Sequence, residues 1–145
     1  MRFWDSSAIV SVLLEEAPEA DELRRLLLEE ESRPVVAATT EIECVSAIAR
    51  REREGRLDPA EVEALLVQLD LLASVWVEVP IGPAVRRLAR RLLRVHPLRA
   101  ADSLQLASCL ALTPDAGPPL AFVSLDDLLN LAARLVAKFF APKTG

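Results

Sequence analysis

At 145 residues, 52% of them hydrophobic, 27% charged and 4% aromatic, the chain has the profile of one soluble globular domain with a proper core, which excludes disorder and a disulfide-stapled miniprotein. Its formal net charge of -5 argues against a nonspecific nucleic-acid coat protein. The single histidine, His96, is too few for a His-rich zinc site or a two-His metal motif, so only carboxylates are abundant enough to build a polar site.

Arg2 to Trp4 is predicted as a short strand ending at Asp5, with Ser6 and Ser7 as capping residues for an apolar helix through Leu14. Glu19 to Glu31 reads as an amphipathic helix with Leu23, Leu26 and Leu27 inward, and Val35-Val36 as a second, buried strand. Helical period returns at Thr40 to Glu54. Gly55 fits a helix C-terminus, and Asp58-Pro59-Ala60-Glu61 is a capping pattern for a helix through Ala73 that turns back on its predecessor. A third strand at Val75 to Val79, a turn at Pro80 to Pro83, and helices at Ala84 to Val95 and Arg99 to Leu112 follow. After a loop at Thr113 to Pro119 come a fourth strand, Leu120 to Ser124, and a last helix, Asp126 to Phe139.

Short, nearly all-apolar strands separated by helices indicate an α/β three-layer sandwich around a mostly parallel sheet of four or five strands. One domain is expected over residues 1 to 140, with a frayed tail at 141 to 145. Cys44 and Cys109 lie far apart in apolar surroundings without CxxC spacing, which reads as buried reduced thiols in a cytoplasmic protein. The run Ile9 to Leu14 is too short for a signal-peptide core, and the low-charge stretch 103 to 125 is broken by Pro114, Gly117, Pro118 and Pro119, so neither export nor a membrane span is expected.

In open α/β sheets ligands bind beyond the carboxyl ends of the strands. Four acids stand at such junctions: Asp5 after the first strand, Glu43 in the first turn after the second, Asp102 in the first turn of the helix near Arg99, and Asp126 after the fourth strand. Singly, Asp5 and Asp126 are ordinary helix caps, Asp102 a helix-dipole acid and Glu43 a solvated residue or a partner for Arg50 or Arg51. Together on one sheet edge they repel, by about 1 kcal/mol per pair at ~4 Å in water and more where solvent is excluded. A divalent cation removes that cost, and oxygen-only ligands suit Mg²⁺ or Mn²⁺ rather than Zn²⁺.

The segments Phe3-Trp4-Asp5-Ser6-Ser7-Ala8, Glu43 in Glu-x-x-Ser-Ala-x-x-Arg-Arg, Leu98-Arg99-Ala100-Ala101-Asp102 and Phe122-Val123-Ser124-Leu125-Asp126 resemble, in order and spacing, a PIN-domain ribonuclease of the VapC toxin type. The resemblance covers essentially the whole chain. It implies a parallel sheet with helices on both faces and an acidic pocket holding one or two Mg²⁺ or Mn²⁺ ions. Asp5, Glu43, Asp102 and Asp126 take the metal-binding and catalytic positions, and Ser7 takes that of a supporting hydroxyl. Asp127 stands beside Asp126 as an acid able to share or replace its role, and Ser124 also keeps a hydroxyl at the site. The implied activity is endonucleolytic hydrolysis of RNA; the implied partners are an antitoxin of the VapB kind and a second copy of the chain.

An acidic pocket must still attract a polyanion. Residues 75 to 145 carry 9 basic and 5 acidic side chains, against 8 and 17 in residues 1 to 74. Arg86, Arg87, Arg90, Arg91 and Arg94 fall on one face of a helix whose other face holds Val85, Leu88, Ala89, Leu92 and Leu93. With Arg99 they read as an RNA-binding face or, equally, as a solvated surface paired to the acidic first half. His96 reads as a loop residue, and Trp4 and Trp76 as core. Alternative readings are a PIN-fold RNA-processing nuclease outside any toxin system and a non-catalytic α/β protein-binding module. A phosphatase of the haloacid-dehalogenase type would want Asp-x-Asp where Asp5-Ser6-Ser7 stands, and no GxxxxGK[ST] loop is present.

Overall fold

A computed structural model gives the fold and describes residues 1–29, 31, 33–113 and 120–140, with side chains through Val136. The tail at 141 to 145 and most of the predicted loop before the fourth strand lie outside the described residues. The elements are β1 (Arg2–Trp4), α1 (Ser6–Leu14), α2 (Ala20–Glu29), β2 (Val35–Ala37), α3 (Thr40–Arg53), α4 (Pro59–Ala73), β3 (Val77–Val79), α5 (Pro83–Val95), α6 (Ala100–Ala111), β4 (Ala121–Val123) and α7 (Asp127–Phe140). No helix among the described residues is long and apolar enough to cross a membrane.

The four strands form one sheet in the order β3-β2-β1-β4, every pairing parallel. Their residues alternate between two cores, as the two-residue period of a strand requires. Phe3, Val35, Ala37 and Val79 meet α5, α6 and α7 through Val85, Ala89, Leu92, Leu106, Leu129 and Ala132. Trp4 and Val36 meet α1 to α4 through Ala8, Ile9, Val12, Leu23, Cys44 and Leu69. Handedness explains the division. Parallel crossovers are right-handed, so stepping from β1 to β2 to β3 puts the connecting helices on one face, and stepping back across the sheet to β4 puts the next ones on the other. Phe3 and Phe122, register partners on β1 and β4, stack with ring centroids 5.8 Å apart.

Element ends follow local chemistry. Gly55, at φ 74°, lets α3 close with paired bonds from Gly55 N–H to Glu52 O and from Arg56 N–H to Arg51 O, a Schellman arrangement. Asp58 and Glu61 form the expected reciprocal capping box on α4, with Pro59 in its first turn. The third strand starts two residues later than its apolar pattern suggests, because the N–H groups of Val75 and Trp76 still bond to Leu72 O at the end of α4. Likewise α7 starts at Asp127: Asp126 is its cap, with the side chain accepting from Leu129 N–H at 2.8 Å.

This topology fixes where a site can form. The helix leaving β1 packs on one face and the helix leaving β4 on the other, so a crevice opens between adjacent strand ends. Asp5 and Ser124 are the first residues beyond those two ends.

Candidate active site

Asp5 is buried, 3% exposed, and caps α1. Its Oδ2 accepts from the Ser7 hydroxyl at 2.6 Å, the Ser124 hydroxyl at 2.8 Å and Ser7 N–H at 3.3 Å. The two serines are held in turn: Ser7 Oγ accepts from Leu125 N–H at 3.0 Å and Ser124 Oγ from Asp126 N–H at 3.1 Å. One carboxylate oxygen is thus locked from both sides of the crevice. The other, Oδ1, accepts no hydrogen bond among the described residues. Burial pushes the Asp5 carboxyl above its ordinary value, the serine bonds oppose that push, and the charge of Glu43 adds to it.

Glu43 is half-buried on the first turns of α3. Its Oε2 accepts from the Ser6 hydroxyl at 2.5 Å, and its Oε1 from Thr39 Oγ1 at 2.8 Å and Gln105 Nε2 at 2.9 Å. Every group bonded to the two acids is a hydroxyl, an amide or a backbone N–H; no Arg or Lys pairs with either among the described residues. Two neighbouring carboxylates, one buried, without a compensating cation are costly to keep charged. Their all-oxygen donor set, with Oδ1 uncommitted, fits a hard divalent ion such as Mg²⁺ or Mn²⁺.

The remaining acids are placed more loosely. Asp126 is joined to Asp5 through Ser124, with one oxygen of its own carboxylate capping α7, and Asp127 is exposed. Asp102 lies in the first turn of α6, where its Oδ2 accepts from Arg99 N–H at 3.3 Å and sits 3.6 Å from Arg99 Nε. Among the described residues no three His, Cys, Asp or Glu side chains close into a metal cage. Asp5 and Glu43 are near enough for the charge of one to act on the other, while Asp102 and Asp126 each commit one carboxylate oxygen to the start of its own helix.

Cys44, one position beyond Glu43, is buried, and its thiol is pushed up to about 12 by burial and then by the charges of Glu43, Asp5 and Glu41. Burial does the same to Cys109, also to about 12. Both are free thiols that stay protonated at neutral pH, which removes thiolate chemistry.

The family model of the PIN domain matches residues 2–113. The chain belongs to the PIN-domain family. Among solved structures, the crystal structure of Mycobacterium tuberculosis VapC20, described as a Sarcin-Ricin loop cleaving toxin, is similar with a TM-score of 0.67 and 13% sequence identity, over 91% of this chain and 95% of that one. That likeness is one of fold. No curated protein sequence matches the chain.

Within this PIN domain the arginine face of α5 is exposed at Arg86, Arg87, Arg90, Arg91 and Arg94, and none of the five pairs with a carboxylate among the described residues. Acids of the first half pair with Arg24, Arg51 and Arg56. The face is not purely cationic: Leu93, expected inward, is 42% exposed, because it stands seven residues from Arg86 and so shares its side of the helix. His96 ends α5, and Trp4 and Trp76 are buried, as expected. Sequence reasoning missed Ser6, Thr39, Thr40 and Gln105. The available signal was Gln105 itself, a lone amide among Leu104, Leu106 and Ala107, three residues beyond Asp102 and therefore on the same side of α6.

Proposed function

We propose that this PIN domain is a metal-dependent endoribonuclease and the toxin of a toxin-antitoxin pair. The observation that carries the reading is the pair of Asp5, at the sheet's switch point, and Glu43 beside it, two acids fixed by neutral donors and without a cationic side chain of their own among the described residues. Asp5, Glu43, Asp102 and Asp126 would hold one or two Mg²⁺ or Mn²⁺ ions, with Ser7 and Ser124 fixing Asp5. When bound, such an ion lowers the pKa of water and neutralises phosphate charge, so neither His nor Lys is needed. Asp5 and Glu43 contribute rigid oxygen donors; Arg86, Arg90, Arg94 and Arg99 draw in the RNA backbone. The fold likeness to a protein described as a Sarcin-Ricin loop cleaving toxin supports the toxin reading; a VapB-like partner, a homodimer and a cytoplasmic setting belong to the proposal with it.

Cleavage of a labelled single-stranded RNA is the test, with Mn²⁺, with Mg²⁺ and with EDTA, beside Asp5→Asn. Metal-dependent cleavage that disappears in the variant supports the proposal. A folded protein inactive under all three conditions on tRNA, rRNA and mRNA substrates would overturn it in favour of a binding module.

A further inference from the structure

Gln105 occupies a place that packing alone does not explain. It is 1% exposed on α6 and donates from one amide nitrogen to Glu43 Oε1 at 2.9 Å and to Thr40 Oγ1 at 3.2 Å. Its own amide oxygen is buried and has no partner among the described residues. An apolar side chain of similar length would fill the same space and leave no orphaned oxygen. What such a side chain would not supply is the N–H group on Glu43.

The bond also differs in kind from the other restraints on Glu43. Thr39 reaches it from the start of its own helix, and Ser6 from the residue after Asp5. Gln105 reaches it from α6, the helix that carries Asp102 one turn earlier. Among the described residues it is the one hydrogen bond to Glu43 that ties it to the element bearing the third acid. Resting on the function proposed above, we infer that Gln105 is a positioning residue, holding the Glu43 carboxylate in its ion-binding orientation and keeping α3 and α6 in register across the site. Thr40 sets the amide in turn, by accepting from the same nitrogen. Partners of this kind, one step removed from an ion, typically account for a 10- to 100-fold effect on metal affinity or activity.

The test uses full-length protein and Mn²⁺ alone as the probe, by titration calorimetry, for wild type, Gln105→Met and Thr40→Val. Gln105→Met is expected to weaken Mn²⁺ binding by roughly 10-fold or more and to slow cleavage in proportion, with a metal-free melting temperature equal to or above wild type because the orphaned oxygen is gone. Thr40→Val, which preserves shape, should move binding the same way by less, and it decides the question if the Gln105→Met protein does not fold. Wild-type Mn²⁺ affinity in both folded variants, or in Thr40→Val alone if only it folds, overturns the inference. A double-mutant cycle of Glu43→Gln with Gln105→Met, read from metal-free denaturant midpoints, separates this from failure of the nuclease reading. If wild type binds no Mn²⁺, non-additive midpoints still support Gln105 as the restraint on Glu43, and additive ones refute it.

Discussion

Removing the arginines of α5 tests the RNA-facing reading quantitatively. Five exposed guanidinium groups stand without a carboxylate partner among the described residues, so each is placed to replace a condensed counterion on RNA. For single strands the logarithmic salt slope is about -0.7 per phosphate neutralised, which gives about -3.5 if all five engage. Raising salt from about 50 to about 200 mM then weakens binding on the order of 100-fold. The triple substitution Arg86→Ala, Arg90→Ala and Arg94→Ala leaves two of the five, so the share of the slope that α5 supplies falls to about -1.4 and its share of the loss to about sevenfold. Fluorescence anisotropy of a labelled single-stranded RNA, in an Asp5→Asn background so that nothing is cut, reads both slopes. Arg24→Ala is the control, since Arg24 already pairs with Glu15 and should leave the slope as it is. An unchanged slope in the triple variant, or an equal drop in the control, would refute the assignment and return α5 to an ordinary solvated helix.

Asp5→Asn should abolish cleavage yet raise metal-free stability at neutral pH. Because the folded Asp5 carboxyl lies above its ordinary value of 3.8, the folded state binds the proton more tightly; the stability this gives is full below that value and is lost as pH rises through the raised one. Thermal melts from pH 3 upward should show that decline in wild type and its reduction in the variant; parallel curves would contradict it. Asp126→Asn should preserve α7, since Asn caps as well as Asp, while cutting activity, whereas Asp127→Asn should leave RNA cleavage unaffected. Asp58→Ala should cost about 1 kcal/mol, which lowers the melting temperature by about 2–4 °C for a domain near this size, without altering Mn²⁺ affinity.

The layer architecture was legible because β-branched and aromatic strands such as Phe3-Trp4 and Val35-Val36 stand out against helical segments with separate caps. Asp5 was legible for a related reason, since an acid directly after a buried strand has few places to go but the carboxyl edge. The network around Glu43 was not. Ser6, Thr39, Thr40 and Gln105 are ordinary helix-start and helix-interior residues by type, and only the crossing of three helices brings Ser6, Thr39 and Gln105 to one carboxylate, with Thr40 behind Gln105. The pairing state of the α5 arginines was equally hidden: a charge pattern gives the face on which they lie and not which acids lie within reach.

Arg99 exposes a tension in the metal reading that a single variant resolves. The residue proposed to offer RNA a cation stands 3.6 Å from Asp102, an acid proposed to bind the metal. Arg99 is 88% exposed in its side chain, so the pair is solvent-screened and worth about 0.2–1 kcal/mol. A divalent ion must compete for that carboxylate and also approach a like charge, and both effects oppose binding. Arg99→Gln removes both while keeping the backbone N–H that Asp102 accepts from. Mn²⁺ affinity should therefore rise by about two- to fivefold at low salt, with the gain fading as ionic strength increases, while RNA affinity falls. Weaker Mn²⁺ binding in Arg99→Gln would mean the opposite: that the guanidinium is what aims Asp102 into the site, and that the helix-end geometry of Asp102 is already the binding geometry.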